Sequence, residues 1–555
     1  MTRRSSLALL CLTAALLSDA TAASAGGLEL SPGGARALGR GGAVAAQPSD
    51  AMALLHNPAG LSLLASDQFL LEFDTTIHTM CVDPYGYYGW GVYDLGGTSE
   101  FGESTSAEYG GRALPEVCNS VPVLPVPEIA WALRLNDDIV IGFGMVSPTF
   151  VPGLQFGGDD GTIVRDGVTL PTPTRYQMIR QEVVFGLNPT AGIGYRVLPW
   201  LAVGATLHVG MVKANTYAIQ NTGAGTAPHT DAMAELSVSD YFIPAASLSV
   251  HAKPTDAIDL VAAFRLADDV RASGDLTYTT RYFLRGNTGE GQVPFENDPV
   301  TLANVEVPLP WALTVGMRYA DLLGPNEDTA RGRLDPIENE RWDIELDAVW
   351  NFNERASVNT VEVGGDVNLV FRNADGTPQT GIPVDEDELQ EFTIDRHLED
   401  SLAVRLGGSY TLLPGTLQLH AGTFWENRGV DPDYASIDSF AFRRVGFGVG
   451  VSVRLGDYDL RAAYGHIFQE NLEIAPPPHE DRRDENGDAT GGFDQRVAGE
   501  VLEDPDAPSI ADADAVARLE QRALAETEFR PQRVINAGRY EADFHIVSVG
   551  LTYRF

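Results

Sequence analysis

The sequence predicts an all-β protein, a transmembrane antiparallel up-and-down β-barrel of about 14 strands with an N-terminal helical hatch plugging its lumen. Three observations carry this expectation. The chain ends on a strand of period two. The same alternation recurs along its length, between connections that are short and long in turn. A Gly- and Ala-rich segment without alternation precedes the first strand. In the terminal strand Val547, Val549, Leu551, Tyr553 and Phe555 form one face, and Ser548, Gly550, Thr552 and Arg554 form the other. Successive side chains of a strand point to opposite faces, so one face is oily and the other small and polar. A closing barrel strand that ends on an aromatic residue presents that oily face to lipid.

The amino terminus reads as an export signal. Arg3 and Arg4 precede an apolar run from Leu7 to Leu17, and Ala23-Ser24-Ala25 offers a small-residue cleavage site. Residues 1–25 are expected to be a signal peptide, and the mature chain to begin at Gly26. No later apolar run reaches the roughly 18 residues that a helical span needs. The net charge of −39 argues against nucleic acid as a partner. The acid collects outside the strands, as in Asp385-Glu386-Asp387-Glu388 and between Glu480 and Asp488. These runs read as solvated loops, or as loops bridged by divalent cations to one another or to lipopolysaccharide. Within the acidic segment 470–539, Asp484-Glu485-Asn486-Gly487-Asp488 has calcium-loop composition without the full EF-hand spacing. Cys81 and Cys118 are the cysteines beyond the signal, on one predicted loop of an exported chain, and a disulfide between them is expected. Two cysteines without a nearby histidine pair do not suggest a metal site, and no cofactor is expected.

Residues 26–66 form the expected hatch. Ser49 or Asp50 can cap a short helix there, which Asn57-Pro58 then ends. Residues 67–555 form the expected barrel. Alternation marks strands at Gln68–Thr79, Glu128–Leu135, Ile139–Val146, Glu182–Val197, Leu201–Tyr217, Ala234–His251 and Ile258–Thr279. It continues at Val305–Tyr319, Arg341–Phe352, Leu402–Thr411, Thr416–Trp425, Arg444–Leu455, Tyr458–Phe468 and Tyr540–Phe555. Tight turns such as Asn136-Asp137-Asp138 and Gly456-Asp457 alternate with long polar segments, as periplasmic turns alternate with outer loops. The connection Asp321–Glu340 departs from this, because it is long and falls on the periplasmic side.

Charge decides which face meets lipid. A charged side chain facing lipid near the midplane costs roughly 2–4 kcal/mol. Asp343, Glu345, Asp347, Arg318 and Arg405 must therefore face the lumen, where ion pairs among them are expected. Either the pairs fix strand register or an arginine receives an anionic head group. Tyr195, Trp200, Trp311, Tyr319, Trp342, Tyr410, Trp425, Tyr553 and Phe555 sit at strand ends and make the interfacial girdle.

These segments together resemble the FadL/TodX type of outer-membrane transporter for long-chain fatty acids and other hydrophobic compounds. The run from Gly33 to Leu64, with Asn57, Pro58, Ala59 and Gly60 after a short helix, is similar to the family's hatch. Pro308–Ala320, Arg341–Phe352 and Asp400–Glu426 resemble consecutive family strands. The resemblance implies a monomeric fourteen-stranded barrel in the outer membrane, among lipid and lipopolysaccharide. It implies passive uptake of a hydrophobic small molecule, most of all a long-chain fatty acid, hatch rearrangement, and lateral release beside a kinked third strand. Here that strand runs into Ser147-Pro148, the candidate lateral opening; proline cannot donate to the ladder, so it either opens the wall there or merely ends the strand.

The alternatives are a general porin, an adhesin-like barrel and a lipase-type barrel enzyme. An enzyme needs a nucleophile and base placed together. His208 and His420 fall on inward faces, but no Ser–His–acid spacing accompanies them, and the chain is not read as an enzyme.

Overall fold

The computed structural model describes residues 33–85, 114–120, 125–146, 153–185, 188–221, 231–279, 301–324, 333, 335–364, 390–437, 442–474 and 536–555. The signal segment, Ser147, Pro148 and most of the acidic segment 470–539 lie outside them.

Fourteen antiparallel strands close into a barrel. In chain order they begin with β1 (Gln68–Pro84), β2 (Pro125–Arg134), β3 (Ile139–Met145), β4 (Arg180–Phe185 and Pro189–Leu198), β5 (Leu201–Asn221) and β6 (Asp231–Thr255). Next come β7 (Ile258–Ala267 and Val270–Thr279), β8 (Thr301–Val307 and Trp311–Leu322), β9 (Glu340–Phe352 and Val358–Gly364) and β10 (Gln390–Asp395 and Ser401–Leu413). The last are β11 (Leu417–Glu426), β12 (Arg444–Leu455), β13 (Tyr458–Gln469 and Leu472–Ile474) and β14 (Gly538–Arg554). Each strand pairs with its sequence neighbours. β14 closes on β1 in unbroken register from Gln68 opposite Arg554 to Pro84 opposite Gly538. Closure removes the edges whose unpaired backbone groups lipid could not satisfy. Among the described residues no helix is long and apolar enough to cross a membrane.

The alternation holds. On β12 Val445, Phe447 and Val449 are exposed while Arg444, Ser452 and Arg454 are buried. Tyr195, Trp200, Tyr319, Trp342, Tyr410, Trp425 and Phe555 all lie exposed on the outer surface, and the Tyr319 and Trp342 rings are 5.6 Å apart.

Three expectations need correction. Glu182–Val197, Ile258–Thr279 and Val305–Tyr319 are not single strands. In the first, Asn188 stands outside the ladder between Arg180–Phe185 and Pro189–Leu198; the others break at Asp268-Asp269 and at Pro308-Leu309-Pro310, and β9 likewise breaks at 353–357 and β10 at 396–400. The prolines explain the break in β8, since each removes a ladder donor. The short hatch helix expected between a cap at Ser49 or Asp50 and Asn57-Pro58 does end at Asn57 but starts later, at Ala53–His56. Asp50 caps the preceding turn instead, its Oδ1 accepting from Met52 N at 3.0 Å. Pro58 begins a 3-10 helix, Pro58–Leu63, because its missing N–H costs nothing at a first helical position. Finally, the inner face does not stay polar. On β14 Ile546, Phe544, Ala542 and Tyr540 continue the inward row and are buried, while Asp543, Glu541 and Arg539 point out and are exposed. The pattern inverts at His545.

The long connection between β8 and β9 returns across the periplasmic mouth. Arg333 reaches Asp137 of the β2–β3 turn at 2.6 Å. Asp335 receives Arg454 of β12 at 2.8 Å and Arg554 of β14 at 3.2 Å.

Candidate functional site

Residues 33–64 lie inside the barrel in two pieces. The first contains helix α1 (Ala35–Gly39), which rests on β11, β12, β13, β14 and β1. The floor beneath it is a row of glycines in register: Gly407, Gly422, Gly448 and Gly465 on four consecutive strands. A Cβ on Gly422 would stand 2.1 Å from the Arg40 carbonyl oxygen, and one on Gly448 would stand 1.8 Å from that of Leu38. Only a bare backbone admits the hatch this closely.

This piece is also held by buried charge. Arg40 is fully buried and forks onto Asp343 at 3.0 and 2.8 Å, and it donates to Glu345 at 2.8 Å and to Ser409. Asp347 Oδ2 accepts from the backbone of Val44 at 3.0 Å and Ala45 at 3.1 Å, and Glu345 Oε1 accepts from Ala46 N at 2.6 Å. At the other end Asp74 accepts from Gly34 N at 2.9 Å and Glu72 from Ala35 N at 3.2 Å. The lumenal carboxylates thus serve as acceptors for the backbone of the plug. Buried carboxylates demand such partners.

The second piece contains helix α2 (Ala53–His56) and the 3-10 helix, and it faces the opposite wall, β3 to β6. Leu54, Leu61, Leu64 and Met52 pack with Leu70 of β1, Ala130 and Ala132 of β2, and Val140 and Val146 beside and within β3. Ala59 N donates to Ser249 at 2.8 Å. Asn57 Nδ2 donates to Ala45 O at 2.8 Å and lies 3.0 Å from His251 Nδ1, so this side chain joins both pieces to the barrel. Asp50 takes Arg461 at 2.9 Å. A small polar cleft lined by Arg36, Gln47, Asp50, His56 and Glu72 runs between the pieces.

Above α1 the lumen is filled by a packed apolar cluster. Met80, Val82, Ile467, Phe544 and Ile546 contribute from the wall, Leu154, Phe156, Met178, Ile437 and Phe442 from the outer connections, and Leu38 of α1 meets it from below. The His78 ring stacks on Phe544 at 4.3 Å. An apolar guest that parts these side chains gains roughly 0.8 kcal/mol for each methylene it buries.

Of the residues singled out from sequence, Asn57, Pro58, Ala59 and Gly60 lie at the centre of the second piece, and Pro48 packs where a Gly60 side chain would be. Arg318 is fully buried. It pairs with Asp343 at 3.1 Å, with Asp259 at 2.9 Å and with Glu340. Arg405 stands opposite Asp347 in register, but its guanidinium donates to Gly42 O at 3.4 Å. Cys81 and Cys118 face each other across β1 and the two-residue strand Val117–Cys118 and are joined by a disulfide. Ser147 and Pro148 fall outside the described residues; the third strand ends at Met145, and Val146 N still bonds to Asn188 O. His208 bonds to Thr190 at 2.9 Å, and His420 lies between Ser409 at 3.0 Å and Ser452 at 2.7 Å. A hydroxyl stands where a catalytic triad needs a carboxylate, and both histidines are buried.

Sequence reasoning missed Arg40. It sits in a run that reads as connector, and the signal for it was a lone arginine between glycines, a residue without a partner nearby in sequence.

No protein-family model matches the chain, and no curated protein does. Solved structures do. A FadL homologue of Pseudomonas aeruginosa superposes with a TM-score of 0.61 at 13% identity, covering 95% of this chain and 100% of its own. The toluene transporter TodX of Pseudomonas putida gives 0.56 at 13%, covering 95% and 99%. The toluene transporter TbuX of Ralstonia pickettii gives 0.51 at 12%, covering 94% and 98%. The closed fourteen-stranded barrel of this chain is thus similar in fold to the FadL homologue and to the toluene transporters TodX and TbuX.

Proposed function

We propose that the protein is an outer-membrane channel for passive uptake of hydrophobic small molecules, and that it works as a monomer among lipid and lipopolysaccharide. The observation that carries this reading is the apolar filling of the lumen above the hatch. An open water-filled pore offers an oily solute nothing, whereas a lumen walled by Phe544, Ile546, Phe156 and Phe442 takes it out of water once these side chains part. Long-chain fatty acids are the ligand class that the sequence resemblance favours. Toluene, carried by two of the similar proteins, is a second class that such a lining suits.

The ligand leaves sideways into the membrane after the hatch rearranges. Two features support this. The second piece of the hatch packs its leucines on the inner faces of β1 to β3, and the segment 333–339 lies across the periplasmic mouth. An exit into water would return every buried methylene to solvent. Proline at 148, just beyond β3, is the residue proposed to keep the ladder from closing there.

The experiment is in two parts. The protein is purified in mild detergent and the mass of any co-purifying molecule is measured; a fatty acid or hydrocarbon is expected. Uptake by Pro148→Val is then compared with wild type, and slower uptake at equal expression and equal gel mobility shift is expected. Normal uptake moves the exit elsewhere, and a polar bound solute overturns the channel reading.

A further inference from the structure

The two pieces of the hatch are held by different chemistry. Around α1 the contacts are charge-assisted and closely set. Arg40 binds Asp343 and Glu345, three consecutive backbone N–H groups bind Asp347 and Glu345, and the carbonyls of Leu38 and Arg40 press on the glycine floor. Around α2 and the 3-10 helix the contacts with the wall are chiefly aliphatic, between Leu54, Leu61 or Leu64 and small residues such as Ala130 and Ala132. The buried ion pair of this piece, Asp50 with Arg461 at 2.9 Å, sits at its start, beside the crossing. Two hydrogen bonds join the pieces and must open for one to move without the other: Asn57 Nδ2 to Ala45 O at 2.8 Å, and His56 Nε2 with Gly33 O at 3.1 Å. Aliphatic contacts are non-directional and re-form after a shift, whereas breaking a buried ion pair strands a charge. The boundary is also marked. The polar cleft separates Arg36 and Ala37 on one side from Asp50 and His56 on the other, and the chain crosses it at Ala46-Gln47-Pro48.

We infer that the hatch is two bodies: residues 33–46 are a fixed part of the barrel, and only residues 48–64 move when a ligand passes. Arg40 is then a positioning residue, which holds the half seated on the glycines still while the wall beside β3 is uncovered. This rests on the proposed hatch rearrangement and adds which half performs it. The hinge is the chain at Gln47, whose amide bonds to Glu340 and Arg36 and so stays with the fixed half.

The test uses two engineered disulfides in the full chain, in a C81S/C118S background so that reductant acts only on the new bond. A45C/G316C ties the first half to β8, since a Cβ at position 316 would lie 3.3 Å from Ala45 Cβ, away from the apolar lumen. L54C/G142C ties the second half to β3, since a Cβ at position 142 would lie 2.9 Å from Leu54 Cγ. Both pairs are within reach of a disulfide. Uptake of oleate and of toluene is measured before and after reduction. Oxidised L54C/G142C is expected to lose about tenfold in uptake and recover on reduction. Oxidised A45C/G316C is expected to stay within about twofold of its reduced form. If the A45C/G316C bond also blocks uptake, the hatch moves as one body and the inference fails, while the rearrangement stands. If neither bond blocks uptake, the rearrangement itself is wrong. Hydrogen exchange of the wild-type protein with and without oleate covers the case of a variant that does not fold. Faster exchange confined to 57–64 supports the inference, and equal acceleration over 37–46 overturns it.

Discussion

Arg40 and Asp343 are 303 residues apart in sequence and share two hydrogen bonds, of 3.0 and 2.8 Å, where neither side chain meets solvent. One belongs to the plug and the other to the wall, so this pair reports on whether the plug is in place. Removing one partner leaves a charge in a dry site, which costs about 3–5 kcal/mol. Arg40→Met is expected to lower the temperature at which the hatch loosens, read as ion conductance in a planar bilayer on warming. The barrel itself should keep its heat-dependent gel shift. Unchanged conductance would mean that the pair does not hold the plug.

Gly422→Val tests the floor. Its first added carbon would meet the Arg40 carbonyl at 2.1 Å, and forced overpacking of this kind costs about 1–3 kcal/mol. The outward face of β11 is untouched, so insertion into the membrane should be normal. Conductance should rise as in Arg40→Met. A silent Gly422→Val would show that the plug has room to lift without leaving.

Deleting residues 26–64 should leave a barrel that inserts and conducts ions, because strand pairing does not depend on the plug. The pore should still be narrowed at the periplasmic end, where Asp335 and Glu338 hold Arg454 at 2.8 and 3.1 Å. Adding Asp335→Ala and Glu338→Ala to the deletion should raise single-channel conductance further. Equal conductance in the two deletion variants would show that segment 333–339 does not obstruct the mouth.

Acid should loosen the hatch through His56. Burial pulls its imidazole below the ordinary 6.5, against a smaller opposing pull from the Gly33 carbonyl. The folded ring therefore binds a proton less readily than the unfolded one. Its contribution to stability is neutral above about pH 6.5 and turns unfavourable as pH falls below that value. Hydrogen exchange of 53–63 should quicken between neutral and mildly acidic pH, and His56→Gln should flatten the response. A profile unaltered by the substitution would remove His56 from consideration.

The barrel was legible because lipid enforces a strict code. On β12 the bounds read from alternation, Arg444 and Leu455, are those of the folded strand, since one face must be apolar and half of the other here is glycine. The interruption of β8 was written in Pro308 and Pro310, yet the alternation on both sides hides it. The plug's anchorage was not legible. Asp343, Glu345 and Asp347 are an acidic face on sequence alone; Arg318 on the neighbouring strand was a visible partner for Asp343, but the plug's own contribution, a distant arginine and three backbone amides, carries no pattern. Nor did period two reveal the apolar lumen, because it gives the parity of a face and not what lies on either side at a given height.

The inversion on β14 has a consequence for where the bilayer ends. From His545 to Gly538 the strand climbs about 18 Å, at roughly 3.3 Å per residue and a tilt of about 40°. Over that height its outer side carries Asp543, Glu541 and Arg539 and its inner side Phe544, Ala542 and Tyr540. Carboxylates and a guanidinium that face outward belong in water and not in hydrocarbon, so this length of β14 stands clear of the lipid with its oily side turned to the lumen.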